Sequence, residues 1–80
     1  MPTIARPCKS QNVELVIHPG DHAPPHVHLE GPDWEAWIEL STLKVKYGKA
    51  PAKELKEAIA YLRANMTFVQ SEWRHWCERD

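Results

Sequence analysis

The sequence predicts an α+β fold, with a four-stranded antiparallel meander sheet and two C-terminal helices packed on one face. Three observations carry this reading. Four short runs between Val13 and Tyr47 alternate apolar and polar residues with period two, the signature of half-buried strands. Proline, glycine and aspartate punctuate those runs. After Pro51 the apolar spacing lengthens to the three-to-four period of a helix, twice in succession. Strands followed by helices give an antiparallel sheet with the helices segregated to one face. A chain of 80 residues buries only about 60–65% of its unfolded surface, so a single domain over residues 1–80 with one modest core is expected.

The elements follow in order. In the first strand Val13, Leu15 and Ile17 point one way and Glu14, Val16 and His18 the other, until Pro19-Gly20 ends it. A loop through Asp21, His22, Ala23, Pro24 and Pro25 is stiffened by its two prolines. The second strand runs from about His26 to Glu30, with Val27 and Leu29 on one face, and Gly31-Pro32-Asp33 is a turn. The third, Trp34 to Leu40, sends Trp34, Ala36, Ile38 and Leu40 to one face. Ser41-Thr42 connects it tightly to a fourth, Leu43 to Tyr47, in which Leu43, Val45 and Tyr47 share a face and which Gly48 ends. Pro51 opens the first helix, whose stripe is Leu55, Ala58, Ile59 and Leu62, and Asn65 caps it. The second helix, about Thr67 to Glu78, places Val69, Trp73, Trp76 and Cys77 on one side, and Thr67 and Gln70 have the spacing of a capping box.

Composition narrows the function classes. No run reaches the ~18 apolar residues of a membrane span, and Met1-Pro2-Thr3-Ile4 has neither a basic nor an apolar leader region, so a soluble cytoplasmic protein with no membrane partner is expected. Cys8 and Cys77 are then expected as reduced thiols. Residues 1–43 carry Arg6 and Lys9 against six acidic residues; residues 44–64 carry six basic residues against Glu54 and Glu57. A near-neutral chain lacks the broad basic surface of a strong nucleic-acid binder, although the lysine cluster leaves RNA or DNA as an alternative partner.

Strand alternation fixes the composition of the opposite sheet face. It holds Val16, His18, His26, His28, Glu30, Glu35, Trp37, Glu39, Lys44 and Lys46. Three readings of its histidines are open. His22, His26 and His28, with Glu30 two residues on, are ligands acceptable to zinc, copper or nickel; no cofactor is expected unless the histidines bind such a metal, zinc first among them. His26 and His28 would alternatively act as an acid–base pair with Lys44 or Lys46 beside a phosphate, in metal-independent RNA cleavage. In the third reading the histidines bond loop carbonyls and fix the loop's path, with Asp21 orienting His22. Trp37 is the natural anchor for a protein partner docking on this face together with Asp21, His22, His26, His28 and Glu30. An unpaired edge at the first or fourth strand would serve the same end.

Met1-Pro2-Thr3-Ile4, the core Asp21-His22-Ala23-Pro24-Pro25-His26-Val27-His28, and the stretch from Ala36 to Gly48 ahead of a Pro51-started helix resemble the bacterial domain-of-unknown-function-4160 family. Asn65 and Trp73 also fit that pattern, whereas Arg6 to Gln11 departs from it, since members usually carry an aromatic residue and a glycine there. The resemblance implies a role in a two-gene arrangement like a toxin–antitoxin pair, with this chain as the toxin-like half. Its partner would be a small cognate protein encoded by a neighbouring gene. His22, His26 and His28 carry over the family motif, with Asp21 beside them.

Overall fold

The computed structural model describes residues 3–5 and 12–77. Cys8, the segment Arg6 to Gln11 and Glu78 lie outside the described residues. The order of elements is β1 (Thr3–Ala5), β2 (Glu14–Val16), β3 (His26–Glu30), β4 (Glu35–Glu39), β5 (Lys44–Gly48), α1 (Ala52–Ala64) and α2 (Met66–Cys77). All strand pairs are antiparallel and the sheet order is β1-β2-β3-β4-β5.

The α+β class, the meander and the two C-terminal helices agree with the sequence reading; the strand count does not. Among the described residues there are five strands, not four. Thr3–Ala5 pairs with β2, with Thr3 opposite Val16 and Ala5 opposite Leu15 across an irregular register. Three residues are too few to carry a periodic signal, and only the pairing defines them as a strand. The strand expected at an edge is therefore covered, and the edges are β1 and β5.

The core lies between the helices and one sheet face. Leu15, Ile17, Val27, Leu29, Ile38 and Leu40 meet Ala58, Leu62, Val69 and Trp73, all buried. Leu55 and Tyr61 pack against this cluster from α1, so Tyr61 takes the place that periodicity assigns to Ile59. Asn65 joins the helices. Its backbone N–H donates to the carbonyls of Tyr61 and Leu62, its side-chain amide to Tyr61, and its own carbonyl accepts from Val69. The second helix thus starts at Met66, one residue ahead of the expected capping box, and Thr67 lies in its first turn.

The β4–β5 hairpin departs most from the expected pattern. Leu43 belongs to the turn, with φ 58° and its N–H donating to the Glu39 carbonyl at 2.7 Å. Trp37 then pairs with Tyr47 but Ile38 with Val45, which leaves Lys46 as the extra residue of a β-bulge. Leu43 and Val45 still pack on the core. Tyr47 instead turns onto the face of Trp37, against the expectation that the three share a side. Gly48 closes the hairpin at φ 75°, where a Cβ would run into the Glu35 carbonyl. We expect Gly48→Ala to lower stability by more than about 1 kcal/mol, because both the backbone region and the contact exclude a side chain. A shifted urea midpoint at unchanged slope checks this.

Candidate functional site

β3 places His26 and His28 on one face by simple alternation, and the pairing puts His28 opposite Trp37 and His26 opposite Glu39. This face is not open. His28 is 1% exposed and His26 6%. Buried imidazoles need partners for both ring nitrogens, since an unmet buried polar group costs about 1–3 kcal/mol.

Those partners come from three residues, Pro24, Asp21 and Glu35. His26 Nδ1–H donates to the Pro24 carbonyl at 2.9 Å, which settles its tautomer, because a carbonyl only accepts. His26 Nε2 stands 3.2 Å from Asp21 Oδ2, and His28 Nε2 stands 3.0 Å from the same oxygen. His28 Nδ1 lies 2.7 Å from Glu35 Oε2. Next to it His18 stacks on His28 with centroids 3.8 Å apart and pairs through Nε2 with Glu30 at 3.0 Å. Among the described residues no buried side-chain nitrogen or oxygen lacks a partner.

Asp21 reaches the histidines because its loop is held down at several points. The Gly20 N–H donates to the Trp76 carbonyl at the end of α2, and the Cys77 thiol to the His18 carbonyl. The Asp21 N–H donates to the His18 carbonyl, and Leu40 N–H to Pro25. The Ala23–Pro24 bond in this loop is cis. A loop N–H thus satisfies a carbonyl that the helix terminus leaves without an internal partner.

Between this loop and the bulged hairpin lies a cavity of about 250 Å³. Asp21, His22, Pro24 and His26 form one wall; Trp37, Glu39, Lys46 and Tyr47 form the other. Trp37 stacks on His26 at 4.6 Å, nearly parallel, and meets Tyr47 edge-on at 5.1 Å. Tyr47 is 58% exposed, and Lys46 lies 3.8 Å from Glu39.

The residues singled out from sequence separate into two groups. Asp21, His26 and His28 converge on one point, and Glu30 lies beside them through His18. His22 is exposed on the cavity wall, and Asp21 contacts His26 and His28 in place of orienting it. Lys46 borders the cavity; Lys44 sits opposite Glu39, exposed and off the cavity. His18, Glu35 and Tyr47 were missed as site residues. Alternation had already placed His18 and Glu35 on this face, while Tyr47 depends on the bulge.

The molecule is thus a two-layer α+β domain with a buried histidine–carboxylate network roofed by a proline loop. The family model for a domain of unknown function (DUF4160) matches residues 14–74, about three-quarters of the chain, and the protein belongs to that family. The match spans the network, the cavity and most of both helices. No curated protein and no solved structure matches the chain. Among the described residues no helix is long and apolar enough to cross a membrane.

We expect Asp21→Ala to strand two buried Nε2 atoms and lower stability by about 1–3 kcal/mol. His22→Ala, one residue along the same loop but exposed, stays within about 0.5 kcal/mol of the parent. Parallel urea titrations of the two variants check the contrast.

Proposed function

We propose that this domain is the toxin-like half of a two-protein pair and acts by docking a small cognate protein at its β5 edge and the adjoining cavity. One observation carries the reading: the half-exposed Tyr47 stands over Trp37 in a cavity that opens beside an unpaired strand edge. An extended partner segment adds to such an edge through main-chain hydrogen bonds, and a neighbouring pocket takes one side chain. Aromatic residues in a partly enclosed pocket are the usual energetic anchors of an interface. Lys44, Lys46 and Lys49 are exposed on or next to β5 and guard the edge against pairing with a second copy. The same charges favour an acidic segment, so the partner is a protein with an acidic, extended docking strand.

The alternative of a metal-independent ribonuclease built on His26 and His28 with Lys44 and Lys46 draws less support. Both ring nitrogens of His28 are engaged, its side chain is buried, and Lys44 stands off the cavity. An acid–base group must come within hydrogen-bond reach of its substrate proton.

The test uses the product of the neighbouring gene. Tyr47→Ala is expected to weaken its binding by about tenfold or more without changing thermal stability, since Tyr47 lies at the surface. Deuterium exchange is expected to slow at Lys44–Gly48 on mixing. Unchanged affinity together with an unprotected β5 overturns the reading.

A further inference from the structure

From the convergence of His26 Nε2, His28 Nε2 and Asp21 Oδ2, we infer that these residues form a binding site for a divalent transition-metal ion of the zinc class. The three ligand atoms lie within 4.8 Å of one another. This inference does not rest on the docking reading.

Chemistry at the point of convergence comes first. His26 Nδ1 carries its proton toward Pro24, so a neutral His26 turns an Nε2 lone pair toward the Asp21 carboxylate at 3.2 Å. A lone pair and a carboxylate oxygen at that distance repel each other unless a cation lies between them. A second proton on the ring is one such cation; a metal ion is the other. His28 faces a carboxylate at each ring nitrogen, Glu35 at Nδ1 and Asp21 at Nε2, so a neutral ring turns a lone pair toward one of the two. Two nitrogens and one carboxylate oxygen therefore surround a position that calls for positive charge.

The geometry fits a small tetrahedral ion. Ligand atoms about 2.0–2.2 Å from zinc stand about 3.3–3.5 Å from one another. The observed separations of 3.0 and 3.2 Å need an outward movement of only a few tenths of an ångström.

The surrounding bonds match what a metal-binding histidine requires. Such a ring almost always donates its other N–H to a carbonyl or carboxylate, which fixes its tautomer and orientation. His26 does so to Pro24, and Glu35 stands where the Nδ1–H of a metal-bound His28 would donate. Three protein ligands leave one position, and because Asp21 and His26 also line the cavity, that position borders it.

A second group, His18, His28, Glu30 and Glu35, is also closely spaced. It is the weaker candidate. His18 and His28 stack face to face at an interplanar angle of 12°, so their in-plane lone pairs run side by side and do not meet. His26 and His28 stand at 62°, so their ring planes cross, and both Nε2 atoms lie close to the same Asp21 oxygen.

The test is metal titration of the whole protein after chelator treatment. Cobalt(II) is expected to bind one to one, with the intense visible absorption of a tetrahedral nitrogen–oxygen site, and zinc to displace it. Zinc at a hundredfold excess over Kd is expected to raise Tm by about 10 °C or more. Asp21→Asn, which keeps the size of the side chain, and His26→Gln are each expected to weaken binding at least tenfold, and His22→Ala to leave it unchanged. Absence of both the absorption and the Tm rise in the parent protein overturns the site. Loss of binding in His22→Ala, or full binding in Asp21→Asn, overturns the ligand set.

Discussion

Everything particular to this domain depends on one carboxylate oxygen, Asp21 Oδ2, shared by two buried imidazoles. Alternation along β3 sends His26 and His28 to the same face, and nothing on the neighbouring strands satisfies both Nε2 atoms. Their burial is tolerable only if the chain returns to supply a polar partner there. The loop from Pro19 to Pro25 does this, and once Asp21 is in place the loop must lie across the sheet. The cavity wall, the exposure of His22 and the contact of Gly20 with the end of α2 follow from that placement.

Much of this was legible in the sequence because it is local. Period-two alternation assigned His18, His26, His28, Glu30, Glu35, Trp37 and Glu39 to one face, and the structure places them there. The helical stripes likewise predicted the burial of Ala58, Leu62, Val69 and Trp73. What could not be read depends on pairing at a distance. β1 exists only through its bonds to β2, and residue types cannot say whether a polar sheet face is wet or roofed by a loop. Asp21 was visible as a carboxylate beside His22, but its real partners are five and seven residues away. Tyr47 illustrates the limit of alternation itself: one extra residue at Lys46 reverses the side of everything beyond it.

That reversal connects the network to the surface. Ring contacts run from His18 to His28, on to His26 and Trp37, and end on Tyr47. The column is buried at His28 and His26 and half exposed at Tyr47. Trp37 serves both ends, as the stacking partner of His26 and the floor beneath Tyr47. A shift of the Asp21 loop would move the cavity wall that faces Trp37, so the network and the cavity share structure. Energetic coupling between them requires in addition that the loop have two arrangements.

The charge division of the sequence takes on a different meaning in the fold. Residues 1–43 hold six acidic side chains. Three of the six, Asp21, Glu30 and Glu35, face imidazole nitrogens, Glu14 accepts from Thr3, and Glu39 accepts from Thr42 and lies near Lys46. Most of the acidic side chains therefore have polar partners within the domain. The lysines of β5 and α1 remain largely at the surface. The field that an approaching molecule meets at the β5 edge is thus more positive than the near-zero net charge suggests, and it lies beside the cavity. An acidic strand entering there exchanges solvent around exposed lysines for carboxylates, an interaction that raises association rate and fixes register more than it adds affinity. Affinity has to come from what the strand places against Trp37 and Tyr47.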